Sequence, residues 1–144
     1  MLNPIVYHLI LITVAGYAFL RGKEDERLAA AICIFATIAT RLVLSPLTSR
    51  YSDIEVGVFL VDLLALAGFT AIALRTDRFW PLWVAGLQLT TIVAHLLKAI
   101  QFDLVPHAYA AAARFWVYPI FLIIVIGTWR SHRRQLQEAR TRAT

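Results

Sequence analysis

Gln88, Thr91, His95 and Lys98 recur at spacings of three, four and three residues, so on a helix they form one stripe. Asp62 lies in the preceding apolar segment, seven residues after Glu55 and on the same face. Thr37 and Arg41 share a face earlier in the chain, His107, Arg114 and Tyr118 share one later, and His8 stands near the start. A carboxylate meeting an imidazole can pass a proton, so contact between Asp62 and His95 would make a relay. With Arg41, Gln88, Lys98 and Arg114 beside them, the same groups could hold a small polar ligand. The alternative for the three cations is that they extend to lipid headgroups. His8, His95 and His107 come from different segments and could supply axial ligands to haem or a metal, although their spacing matches no ligand motif. No HExxH, GxSxG, P-loop or glycine-rich fingerprint occurs, which favours a non-enzymatic protein with no catalytic residues and no cofactor. Cys33 is the one cysteine, so no intramolecular disulfide or dithiol chemistry is available.

These residues sit in five apolar runs: Pro4–Leu20, Leu28–Leu44, Ile54–Leu74, Phe79–Gln101 and Ala108–Trp129. A helix needs about 20 mostly apolar residues to cross a bilayer. Apolar residues make up 60% of the chain, and its mean hydropathy is +0.68. The expected fold is an all-α bundle of five transmembrane helices over residues 1–129, followed by a basic tail at 130–144. A four-span form, with the second run lying in the interface, is the alternative. The absence of basic residues before the first run makes it a retained helix rather than a cleaved signal.

Charge placement gives an orientation. Ten of the 14 Lys and Arg residues flank the ends of runs one, three and five or the starts of the runs that follow, whereas Arg41, Arg50, Lys98 and Arg114 fall at the other ends. The excess of cations on the cytoplasmic side puts the N-terminus outside and the C-terminus in the cytoplasm. On that orientation the polar side chains cluster in the outer half, with Asp62 about 12 Å below the boundary as the floor of an outward-open pocket. The inner half is expected to be nearly featureless and the RGKEDER link solvated. Asp53 and Asp77 are the expected N-caps of helices three and four, Pro81 fits the first turn of helix four, and Pro119 should kink helix five. Ser45–Asp53 reads as a loop. Trp80, Trp83 and Trp129 at inner ends, and Tyr7, Tyr51 and Tyr109 at outer ends, form an aromatic belt. Ala110–Ala113 offers a small face for close helix contact.

Residues 5–45 align with 59–99 without a gap at an offset of 54, with eight identities in 41 positions. His8 falls on Asp62, and Arg41 on His95. This suggests a parallel hairpin repeat plus a fifth helix, an organisation transporters use with sites between the halves; chance similarity between apolar hairpins is the alternative.

The stretch Leu74-Arg-Thr-Asp-Arg-Phe-Trp-Pro-Leu-Trp83, continuing through Gln88 and His95, resembles a set of small uncharacterised multi-pass inner-membrane proteins of alphaproteobacteria. The likeness runs from about Glu55 to His95 and implies an inner (plasma) membrane location without implying a mechanism. In length and helix count the chain is also similar to the tryptophan-rich sensory (translocator) proteins, which bind porphyrins, although Trp80-Pro81-Leu82-Trp83 is its only match to their Trp/Pro pattern. The expected function is binding of a small ligand, lipid or membrane partner, as an accessory or sensor subunit; transport of protons or a small solute through Asp62 and His95 is the alternative. The expected partners are the bilayer and a membrane protein or a second copy, with no nucleic acid. Arg130, Arg133 and Arg134 are placed to hold anionic headgroups.

Overall fold

The computed structural model describes residues 4–43, 51–100 and 115–143. It contains five helices: α1 (Pro4–Arg21), α2 (Glu24–Val43), α3 (Tyr51–Arg75), α4 (Trp80–Ile100) and α5 (Val117–Arg142). Each packs against the next in sequence, and α5 returns to α1, so the helices close a ring; α2 also touches α5 across it. Successive helices run in opposite directions. The ring therefore has a Pro4 end and an Arg21 end.

The all-helical expectation holds. Three helices are long and apolar enough to cross a membrane: α1, the Val56–Arg75 part of α3, and the Trp80–Leu97 part of α4. The bundle's outer surface is apolar, with Ile5, Leu9, Ile12, Leu64, Leu89, Leu97 and Leu122 all half or more exposed. Water-soluble bundles present the opposite pattern, with polar residues outward.

Small residues line the contact of α1 with α2. Ala15 and Ala18 of α1 and Ala29 and Ala30 of α2 are buried, and short side chains let helix backbones approach closely. Phe69, Ile72, Val84, Phe121 and Ile124 complete the core from α3, α4 and α5. Gly22 makes the α1–α2 link possible: a Cβ there would lie 2.5 Å from the Ala18 carbonyl oxygen, a backbone atom that cannot move aside.

The structure corrects the expected link between the first two runs. Glu24–Arg27 belong to α2, leaving Gly22 and Lys23 as the connection. Glu26 is fully buried rather than solvated. One of its carboxylate oxygens accepts the Lys23 backbone N–H at 2.8 Å, half of a capping box. The other accepts Arg78 Nη1, which also donates to Ser131 Oγ at 3.2 Å. Close by, Arg21 Nη1 and His132 Nε2 lie 3.3 Å apart. The Arg21 end is thus tied by an ionic cluster joining α2, the α3–α4 turn and α5, where a nearly featureless half was expected.

Cap and proline expectations are also revised. Asp53 lies inside α3, which begins at Tyr51, and so cannot be its N-cap; Tyr51–Asp53 are helical, and the rest of the expected loop lies outside the described residues. Asp77 is three residues ahead of α4, with Phe79 immediately preceding the helix. Pro81 does occupy its first turn. Pro119 is the third residue of α5 rather than an interior one, so its missing N–H falls in the first turn, where it costs no bond within the helix; Trp116 ahead of it keeps helical dihedrals. α5 then runs unbroken past Trp129, with Ser131 buried. Tyr51, Tyr109 and Ala110–Ala113 lie outside the described side chains.

Removing one partner of a buried ion pair strands the other charge. Arg78→Met should lower unfolding stability by about 3 kcal/mol, read as a drop in melting temperature in detergent. Adding Glu26→Gln should recover part of that loss. An Arg78→Met chain as stable as the parent would contradict the burial of Glu26.

Candidate functional site

Asp62 and His95 meet. His95 Nε2 lies 3.0 Å from Asp62 Oδ2, and Gln88 Nε2 donates to Asp62 Oδ1 at 3.1 Å and to the Asp62 carbonyl at 3.2 Å. The helical repeat explains the arrangement. Gln88 and His95 are two turns apart on one face of α4, so both can reach a single carboxylate on α3. Gln88 is buried, while the Asp62 and His95 side chains keep 22% and 20% of their surface. Phe59 packs edge-on to the His95 ring and limits its rotation. Interhelical polar contacts of this kind contribute about 1 kcal/mol each.

Across the ring, Arg41 Nη2 donates to His8 Nε2 at 3.1 Å, and His8 Nδ1 donates to the Pro4 carbonyl at 2.6 Å. Arg41 thus binds His8 of α1 and not Asp62, although α2 packs against both α1 and α3. Below this pair, Tyr7 donates its hydroxyl to Thr37 Oγ1 at 2.8 Å, and Thr37 donates to the Cys33 carbonyl at 2.8 Å. The sequence analysis singled out Thr37 but not the partner Tyr7, whose hydroxyl had been assigned to the aromatic belt.

The two polar links are spaced alike. His8 to Arg41 and Asp62 to His95 each span 33 residues. The offset of 54 that aligns the hairpins carries one link onto the other.

Between the links lies a cavity of about 460 Å³, lined from all five helices. His8, Arg41, Asp62 and Gln88 contribute to its wall, with Thr37 and Thr91 at equivalent places in the two hairpins. Asp62 is not its floor. The cavity continues past Ala65 to Phe69, two turns or about 10 Å deeper along α3. The small Ala65 side chain leaves that space open, and its lining of Cys33, Ala65, Phe69 and Ile120 is apolar.

The described structure does not extend to every expected site residue. The side chains of Glu55 and Lys98, and residues His107 and Arg114, lie outside it. Both ring nitrogens of His8 are engaged, and among the described residues no group of three His, Cys, Asp or Glu side chains gathers to hold a metal ion. Arg130, Arg133 and Arg134 are exposed on α5, with the Arg133 guanidinium 5.1 Å from the centre of the Trp129 ring. Comparison with protein-family models, curated proteins and solved structures finds no match for this chain.

A double-mutant cycle tests the Asp62–His95 contact. Asp62→Asn and His95→Phe should each destabilise the chain, and the pair should be less than additive by about 1 kcal/mol in thermal unfolding. Strict additivity would mean the two side chains do not interact.

Proposed function

We propose that the chain is a multi-pass inner-membrane protein with five spans, its N-terminus outside and its C-terminus cytoplasmic. Its role is non-enzymatic: it binds a small ligand in the cavity at the Pro4 end, as a sensor or accessory subunit. The membrane reading is supported by the apolar outer surface, by the three span-length helices, and by α2 packing alongside them at comparable length. The orientation is supported by the cations Arg21, Lys23, Arg27, Arg75 and Arg78 at one end of the bundle, and by the basic extension of α5 beyond it. The resemblance of Leu74–Trp83 and the following helix to inner-membrane proteins agrees with that compartment.

The ligand reading is carried by one observation: the cavity is lined by charged and polar side chains from several helices, yet lies inside an apolar-surfaced bundle. Ionisable groups in such a setting are costly and face protein or a water-filled space. About 460 Å³ falls within the range of small-molecule sites.

The matched links His8–Arg41 and Asp62–His95 favour a second reading, in which the two hairpins are transporter-like repeats and Asp62 and His95 relay protons during solute movement. Proteoliposome flux that is lost in Asp62→Asn would support it. Flux unchanged by that substitution would exclude the relay.

Native mass spectrometry of the full chain extracted from its own membranes tests the ligand reading. The expected result is a stoichiometric small molecule retained by the parent and lost in Thr40→Trp, which places a large ring at the cavity wall. An empty parent chain, or a molecule retained equally by Thr40→Trp, contradicts binding in this cavity. A reporter fused to each terminus should place the two on opposite sides of the membrane; a common side contradicts the five-span form.

A further inference from the structure

The two walls of the cavity carry opposite charge. Arg41, on one wall, is held by a neutral acceptor nitrogen of His8 and retains four of its five donor N–H groups beyond that bond. Asp62, on the other, accepts one bond at Oδ1 from Gln88 and one contact at Oδ2 from His95, out of about four lone-pair positions. Among the described residues the charge partner of Asp62 is His95, at 3.0 Å, and no ion pair joins Asp62 to Arg41, which is exposed at the mouth; Asp62 offers its negative charge to a ligand when His95 is neutral.

Their relative depth is set by the packing of α2 on α3. Gly57 faces Val43 and Gly68 faces Ile32, a constant antiparallel register that puts Arg41 level with position 59. Asp62 therefore lies three residues deeper, about 4.5 Å along the axis. Ala65 and Phe69 follow one and two turns deeper still, in the apolar part of the cavity.

Resting on the ligand reading above, we propose that the cavity binds a small zwitterion with an apolar body. Its anionic group meets Arg41, its primary ammonium meets Asp62, and its apolar portion lies against Ala65 and Phe69. The order anion, ammonium, apolar body from the mouth inward follows the depths of Arg41 on α2 and of Asp62, Ala65 and Phe69 on α3. An apolar α-amino acid has this chemistry; an ethanolamine lipid does not, because its phosphate lies between the ammonium and the apolar chains. A ligand with one charge would leave the opposite wall unpaired, and an unmatched charged group weakens binding.

Calorimetric titration of the purified full chain in maltoside micelles tests this with defined probes. L-Phenylalanine is the zwitterion with the proposed order, and lysophosphatidylethanolamine one with the order of charges reversed; 2-phenylethylamine and 3-phenylpropanoate each keep one charge of the amino acid. L-Phenylalanine should bind about tenfold or more tightly than either single-charge probe, and more tightly than lysophosphatidylethanolamine. Arg41→Gln should remove the advantage over the amine, and Asp62→Asn the advantage over the acid, with Arg41→Lys retaining most of it. A single-charge probe or lysophosphatidylethanolamine binding as tightly as L-phenylalanine, the advantage over the amine surviving in Arg41→Gln, or failure of L-phenylalanine to bind would each overturn the proposal. Native mass spectrometry with Thr40→Trp judges the cavity separately: a retained ligand with one charge or none sinks the zwitterion and keeps the pocket.

Discussion

A carboxylate inside an apolar-surfaced bundle has to find donors within the protein, and Asp62 organises the Pro4 half of this fold around that requirement. Its two oxygens take Gln88 and His95 from one face of α4, which sets the rotation of α4 against α3. Gln88 is buried, so rotating α4 away would strand its amide and break the His95 contact at the same time. The cavity follows from the same constraint. Polar side chains turned inward do not fill space as branched aliphatic ones do, and the ring of five helices leaves room between the Asp62 group and the His8–Arg41 pair.

The opposite end is held by different chemistry. At the Arg21 end Glu26 is sealed beneath Arg78, with Ser131 and the Lys23 N–H completing the set. Between the two ends lies the tight alanine contact of α1 with α2. The bundle is thus closed and ionic at one end, closely packed in the middle, and hollow at the other, a distribution suited to a site approached from one side only.

Much of the hollow end was legible in the sequence. The spacing of Gln88 and His95 announced a stripe, and Asp62 was the one carboxylate deep enough to need it. The depth of the cavity was not legible, because it depends on Ala65 being small and Phe69 standing aside, and hydropathy treats both simply as apolar. Glu26 was missed for a related reason. Five charged residues in a row look solvated, and its partners are a side chain 52 residues away and a backbone N–H. The one local signal was position: a glutamate three residues after the helix cap can reach back to the cap N–H. Pro119 was expected to kink helix five from within; it stands in the first turn of α5 instead, where its missing N–H breaks no bond of the helix.

The central claim is that polar side chains of several helices line a water-filled cavity entered from the outside. Thiol accessibility tests it most directly. In a Cys33→Ser background, Thr37→Cys should react rapidly with a membrane-impermeant methanethiosulfonate cation added to intact cells, while Leu64→Cys on the apolar outer face should not. A Thr37→Cys chain that stays unreactive, or reacts only when the reagent is admitted to the cytosol, would contradict the account.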